Sequence, residues 1–216
     1  MDTYTYINKE NIARSSAEAE YHPLHPCIDE ETRVLFMGSF PPPMKRWAKD
    51  FFFFYPNFIN DHWRIMGLIF FGDKDYLVDT ANKTYRYEEI LRLVKEKHIG
   101  YYDTATAVKR LKDNASDKFL EVVEKTDIPS LIRRAPHLKT IAVTGEKAAQ
   151  TLCNTFHLTT IPKTGHSLPL PNILCTDNDS ITLWRLPSSS RAYPMRLEDK
   201  AKYYREMLIH SGVQTL

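Results

Sequence analysis

Cysteine, glycine and long apolar runs are all scarce in this sequence. Its 216 residues include three cysteines, Cys27, Cys153 and Cys175, odd in number and widely spaced. That argues against a disulfide framework and suits reduced thiols in a cytoplasm. Seven glycines stand against thirteen prolines, and no Gly-rich phosphate loop of either common pattern is present. A small-molecule α/β enzyme handling nucleotides is therefore disfavoured, and stiff, shaped loops are expected instead. No apolar run approaches the ~18–20 residues of a transmembrane helix. Met1-Asp2-Thr3-Tyr4 lacks the basic region and apolar core of a secretory signal. Net charge is only +2, so any binding of nucleic acid must come from a local patch.

What is present is ordinary globular material, 43% hydrophobic and 26% charged, and it reads as one domain over residues 1–216. Residues 1–30 form an extended arm and lead-in loop, polar at first. His22, His25 and Cys27 are conceivable metal ligands there, but no second pair follows at a matching spacing, so no metal is expected. Arg33 to Met37 is a short apolar run of the buried-strand kind. Gly38-Ser39-Phe40-Pro41-Pro42-Pro43 breaks it with a rigid turn. The aromatic block Phe51 to Phe58 follows, closed by Asn60-Asp61-His62-Trp63-Arg64.

Trp63 to Phe71 is apolar all round, as in a helix sandwiched between layers. Residues 73–89 read as a polar surface excursion. Tyr87 to Lys97 has helical spacing with a stop near Gly100. Ile99 to Val108 reads as a short strand and a loop, and Lys118 to Lys125 as helical or irregular. Ile128 to Arg134 is a short helix with proline in its first turn. Lys139 to Gly145 is a second buried-strand run, followed by a helix from Glu146 to Phe156, a unit of the parallel α/β kind. Residues 159–172 form a proline-rich loop. Asn172–Cys175 and Ser180–Leu186 are the last strand candidates, and Leu197 to Ile209 is a final amphipathic helix.

Two loops gain meaning together. Gly38 to Pro43 follows an early strand and Pro187 to Tyr193 a late one, so adjacent parallel strands bring both to one sheet edge, where open α/β sheets bind ligands. The first offers close backbone approach and a flat wall. The second offers Ser188, Ser189 and Ser190 for a phosphate, with Arg191 to reach a groove or a base edge. Between them Phe51 to Tyr55 presents a face for a flat ring. Lys45, Arg46, Lys49 and Arg64 make a basic cluster near the first loop.

This pair of motifs resembles those of the uracil-DNA glycosylase superfamily. The nearest branches are the mismatch-specific uracil/thymine glycosylases and the hypoxanthine (deoxyinosine) glycosylases, the latter closest. Val34 to Pro41 matches a first motif of the form strand-Gly-x-x-Pro. Tyr55 and Asn60-Asp61-His62-Trp63 match an aromatic followed by Asn-x-x-Trp, and Leu186 to Ala192 matches Leu-Pro-Ser-Ser/Thr-Ser-x-Ala. The resemblance covers roughly residues 33–195. It implies a three-layer α/β/α sandwich with a short, mainly parallel four-stranded central sheet. It also implies a monofunctional DNA glycosylase of base-excision repair that flips uracil or hypoxanthine out of the duplex and hydrolyses its glycosidic bond. Partners would be damaged duplex DNA, with no membrane, and the chain is expected to act as a monomer. No cofactor is expected either, because three dispersed cysteines cannot hold the four-cysteine iron–sulfur cluster of some branches.

Carried over by position, Gly38, Ser39, Phe40 and Pro41 line the base and sugar pocket, and Tyr55 stacks on the base. Pro187, Ser188, Ser189 and Ser190 grip phosphates with Lys45 and Arg46 nearby, and Arg191 lies near the gap in the duplex. One departure stands out. Many branches carry Asp or Asn where this chain has Phe40, which excludes a side-chain general base from that motif. The hypoxanthine-type branch lacks it too and keeps the Asn-x-x-Trp, so the chemistry moves to Asn60, as holder of a water or reader of the base. The other reading of Asn60 is a turn cap before the helix. Asp50, Asp61, His62 and His166 rank lower. Phe40 also keeps alive a rival in which the chain binds damaged or single-stranded nucleic acid without cutting it.

Overall fold

The computed structural model describes residues 5–16, 18–112, 117–171 and 181–216. In chain order the elements are α1 (Lys9–Arg14), β1 (Glu20–Tyr21), β2 (Val34–Gly38), α2 (His62–Phe71), β3 (Val78–Asp79), β4 (Thr84–Tyr85), α3 (Tyr87–Glu96) and β5 (Ile99–Asp103). They continue with β6 (Ala105–Arg110), β7 (Leu120–Lys125), α4 (Ile128–Arg133), β8 (Thr140–Thr144), α5 (Glu146–Thr155), β9 (His166–Pro169), β10 (Thr182–Leu186) and α6 (Leu197–His210).

The main sheet runs β5-β2-β8-β10-β9. Its first four strands are parallel and β9 is antiparallel at the edge. The expected four-stranded sheet is therefore a parallel core with a fifth strand added. That strand lies within the span read as a proline-rich loop, since a short, mostly exposed edge strand has no apolar alternation to announce it. The strand expected at Asn172–Cys175 lies outside the described residues. Val34, Leu35, Phe36 and Met37 are all buried, as are all five residues of β8. Continuous apolar runs of this kind belong to parallel strands covered on both faces.

One face carries α2 and α6. Phe36 stacks on Tyr101 (ring centroids 5.5 Å apart) and Tyr204 (6.0 Å), with His62 edge-on at 5.3 Å. Right-handed crossovers between parallel strands put α4 and α5 on the opposite face. The apolar residues of α3 recur at 87, 90, 91 and 94, a helical stripe against the core. Helix α2 is buried nearly all round and stops at Gly72, whose left-handed φ of 69° lets its N–H reach Leu68 O.

Two antiparallel pieces were not anticipated. Residues 105–110, whose first part falls in the strand-and-loop span Ile99 to Val108, and 120–125, within the span Lys118 to Lys125 read as helical or irregular, pair as β6 and β7, with β1 alongside. The excursion at 73–89 is not a mere surface feature either. It forms the β3–β4 hairpin, with Leu77, Val78 and Tyr85 buried in the core.

The chain leaves β2 towards β5 on one side and leaves β8 towards β10 on the other. The β2/β8 pair is thus the switch point of the sheet, where open α/β folds form a crevice beyond the carboxyl ends of the strands. Phe36, fully buried on β2 beneath that crevice, gives a direct test. Phe36→Ala is expected to cost about 3–5 kcal/mol, read as a lowered denaturation midpoint at unchanged slope.

Candidate active site

A cleft of about 610 Å³ opens at this switch point. Its walls come from four strand ends: Gly38 to Pro42 after β2, Asp103 closing β5, Thr144 closing β8, and Ser188 to Ala192 after β10. Phe54, Tyr55, Asn57 and Asn60 complete it, so the two loops singled out from the sequence do meet. They touch directly as well. Asn60 and Ser190 form an antiparallel bridge, and Asp61 N–H donates to Ser189 O at 2.9 Å.

Within the aromatic block, Phe51, Phe53 and Phe54 are core residues. The ring offered to the cleft is that of Tyr55, held at a left-handed φ of 53°. Its hydroxyl is 2.9 Å from Thr144 Oγ1, and one ring face lies on the His62 imidazole, with centroids 3.8 Å apart and planes 10° from parallel. His62, ranked low from sequence, is thus the backing of the aromatic wall. It is fully buried, with Nε2 3.0 Å from Tyr101 Oη and Nδ1 without a partner among the described residues. Burial pushes its pKa down to about 3, so the ring under Tyr55 is neutral at working pH.

Asn60 takes the turn-capping role considered for it and also lines the cleft. Its Oδ1 accepts the His62 N–H at 2.8 Å and so caps the start of α2. Because that partner is a donor, the atom facing it must be the oxygen. The NH2 has no partner among the described residues, and Asn60 lines the cleft. The hairpin steadies this segment: Tyr85 Oη donates to Asn57 O at 2.9 Å and to Asn60 O at 3.3 Å.

Asp61, set aside from sequence, is the clamp between the two loops. Its Oδ1 accepts from Arg191 Nε at 2.8 Å, and Oδ2 is 3.7 Å from Lys200 Nζ. Lys200 is 1% exposed and also donates to Ser190 O at 2.7 Å. Burial pulls the Lys200 pKa down, and Asp61 opposes that pull. Arg191, expected near the gap in the duplex, is paired with Asp61 and lines the cleft.

The serine loop divides by burial. Ser188 and Ser190 are half-buried on the cleft. Their Oγ atoms accept the N–H groups of Ser190 (3.2 Å) and Ala192 (3.3 Å), which leaves each hydroxyl proton to donate. Ser189 and Pro187, expected at the phosphates, are buried. Pro187 O accepts from Tyr204 Oη at 3.0 Å. Of the basic cluster, Arg46 lines the cleft, while Lys45 and Lys49 are exposed outside it. Arg64 turns inward, donating to Phe58 O and lying over the Phe58 ring. Lys118, not anticipated, also lines the cleft.

Gly38, Ser39 and Pro41 line the cleft as expected. Phe40 does so only at its edge, because its ring packs with Ala105, Val108 and Leu120. Asp50 and His166 are exposed and outside the cleft. His22 pairs with Asp103, and Cys27 Sγ bonds to Tyr6 Oη. Among the described residues no three His, Cys, Asp or Glu side chains converge as metal ligands. No helix there is long and apolar enough to cross a membrane.

The fold and the site define a class of protein before any comparison: an α/β domain with a flat-ring pocket at the switch point of a parallel sheet. Known proteins point the same way. No family model matches the chain. The hypoxanthine DNA glycosylase of Methanosarcina barkeri is 29% identical over 125 residues, which span 58% of this chain and 71% of that protein. A solution structure from Methanosarcina acetivorans, whose assignment as a uracil DNA glycosylase is itself provisional, superimposes with a TM-score of 0.53. It covers 87% of this chain and 96% of that one at 21% identity, which speaks to the fold alone. The resemblance to the uracil-DNA glycosylase superfamily, on its hypoxanthine-type branch, is borne out.

Two measurements probe the geometry. In the unfolded chain His62 titrates near 6.5, and in the folded chain near 3. The unfolded state therefore binds the extra proton between those values. The contribution of a neutral His62 is whole above pH 6.5 and drains away towards pH 3, on the order of a few kcal/mol. The unfolding free energy should fall more between pH 7 and pH 4 in the wild type than in His62→Gln. Separately, Asp61→Ala leaves the Lys200 ammonium buried without its carboxylate. It is expected to lower stability by about 3 kcal/mol, read by thermal unfolding.

Proposed function

We propose that this protein is a monofunctional DNA glycosylase of base-excision repair. It flips a deaminated base, uracil or hypoxanthine, into the cleft and hydrolyses its glycosidic bond. The observation that carries the reading is the oriented Asn60 amide beside the backed ring of Tyr55. A base stacked on Tyr55 meets an NH2 donor. Deamination replaces an exocyclic amino group by a carbonyl, so the donor accepts the damaged base and leaves the undamaged one with two donors opposed. The same hydrogen bond strengthens as negative charge gathers on the departing base. Ser188 and Ser190 donate to flanking phosphates, with Arg46 and Lys118 supplying positive charge at the rim. The relationship to the M. barkeri protein supports this assignment.

The enzyme acts as a single domain and a monomer, in the cytoplasm, without metal or cofactor. The test is a panel of duplexes carrying uracil, hypoxanthine, xanthine or a thymine mismatch. The expected result is release of free base from a deaminated-base duplex, leaving an abasic site. Asn60→Ala should lower the rate about 100-fold. Asn60→Asp, which sets an acceptor against the carbonyl, should be at least as damaging. Binding should weaken with salt at a log–log slope of about −0.9 per neutralised phosphate. No base release from any member of the panel sinks the catalytic reading. Salt-sensitive binding that persists without release, indifferent to Asn60, would instead favour the non-cutting module that Phe40 suggests.

A further inference from the structure

With the Asn60 amide committed as a donor and Phe40 apolar, the one carboxylate of the matched motifs is Asp61, and it is tied to Arg191 and Lys200. We infer that Asp103 is the carboxylate that holds and deprotonates the attacking water, with His22 as its positioning residue. This rests on the glycosylase reading above.

Parallel pairing of β2 with β5 sets Asp103 beside Gly38. The carboxylate thus stands on the strand next to the first motif, at the same carboxyl edge, and lines the same cleft as Tyr55 and Asn60. Gly38 is what makes room for it. A Cβ at position 38 would fall well inside van der Waals contact with Asp103 Oδ1. The two oxygens of Asp103 differ. Oδ2 accepts from His22 Nε2 at 2.9 Å. Oδ1 has no hydrogen-bond partner among the described residues.

His22 is fully buried, edge-on to the Phe40 ring at 5.4 Å and tilted against Tyr102 at 4.7 Å. Its Nδ1 lies 2.9 Å from Leu24 O and 3.1 Å from Leu24 N, and Nε2, facing a carboxylate oxygen that only accepts, carries a proton aimed at Asp103. Phe40 therefore does not simply mark a lost catalytic group. It walls off the imidazole that fixes the carboxylate. The plainer alternative is a structural ion pair anchoring the lead-in segment to β5. A purely structural pair gains from engaging both carboxylate oxygens, whereas here Oδ1, beside Gly38, has no partner among the described residues.

The chemistry balances. A water held by Oδ1 forms a bond from its oxygen to C1′ of the flipped nucleotide, and the C1′–N bond breaks with its electron pair leaving on the base. One water proton passes to Oδ1 and ends on the released base, which restores the carboxylate. The abasic sugar keeps the hydroxyl.

The test is single-turnover base release from whichever duplex the wild type processes, run alongside DNA affinity. Asp103→Asn keeps the shape and an oxygen for His22. It should lower the rate about 100-fold, a typical loss for a general base, with DNA affinity unchanged. His22→Gln should show the same split more weakly. Should Asp103→Asn not fold, His22→Gln decides, since it leaves the carboxylate in place: the rate should fall with DNA affinity kept, and wild-type turnover in it removes His22 as the positioning residue. Wild-type turnover in Asp103→Asn overturns the inference while leaving the glycosylase reading intact, as does a rate loss matched by an equal loss of affinity. A wild-type protein that releases no base overturns both.

Discussion

The position of every group in the cleft depends on the parallel pairing of β2 with a neighbour on each side. Val34 to Met37 cannot be exposed on either face, so β2 must lie inside the sheet, and it does, between β5 and β8. Once it does, the carboxyl ends of three strands are set at spacings dictated by the backbone ladder: Gly38, Asp103 and Thr144 become neighbours because Val34 pairs with both Ile99 and Thr140. A fourth end, Leu186, arrives through the pairing of β10 with β8. Polar groups hung on four rigid strand ends need little local structure to hold them in place. Proline-stiffened turns take over where the strands stop.

The second layer of construction is aromatic. Phe36, Tyr101, His62 and Tyr55 form a continuous column from the sheet to the cleft, each ring in contact with the next. A charged imidazole in that column would have to be solvated, and the apolar packing forbids it. His62 is neutral for that reason, and Tyr55 lies flat on it at 3.8 Å. The wall for a flat ring is thus a consequence of core packing and not of a loop alone.

Legibility followed the range of the interactions. The buried strands at 34–38 and 140–144 announced themselves as apolar runs, and helices at 87–96 and 197–210 through their spacing. The two loops were visible as motifs, but their strands are not adjacent as assumed: β8 lies between β2 and β10, and the loops meet through the Asn60–Asp61 segment. What escaped was long-range or unpatterned. Strand β9 is mostly exposed, and β6 and β7, half apolar, lack the strict alternation that marks a strand. Asp61 reaches Arg191 across 130 residues, and His22 reaches Asp103 across 81. No local signal could link those partners. Ser189, named with its neighbours from the motif, is buried while Ser188 and Ser190 are half-buried, a difference the motif itself does not carry.

Those long-range pairs explain how an apolar residue is tolerated at position 40. A motif is a local record of function, but a catalytic group needs only to reach the right place. The end of β5 is as close to the cleft as the end of β2, because parallel register makes adjacent strand ends equivalent neighbours. Moving the carboxylate one strand over requires two concessions, a residue without a side chain at 38 and a partner to hold Asp103 in place. Gly38 meets the first and buried His22 the second. Phe40, freed from the chemistry, then closes the apolar shell around the imidazole.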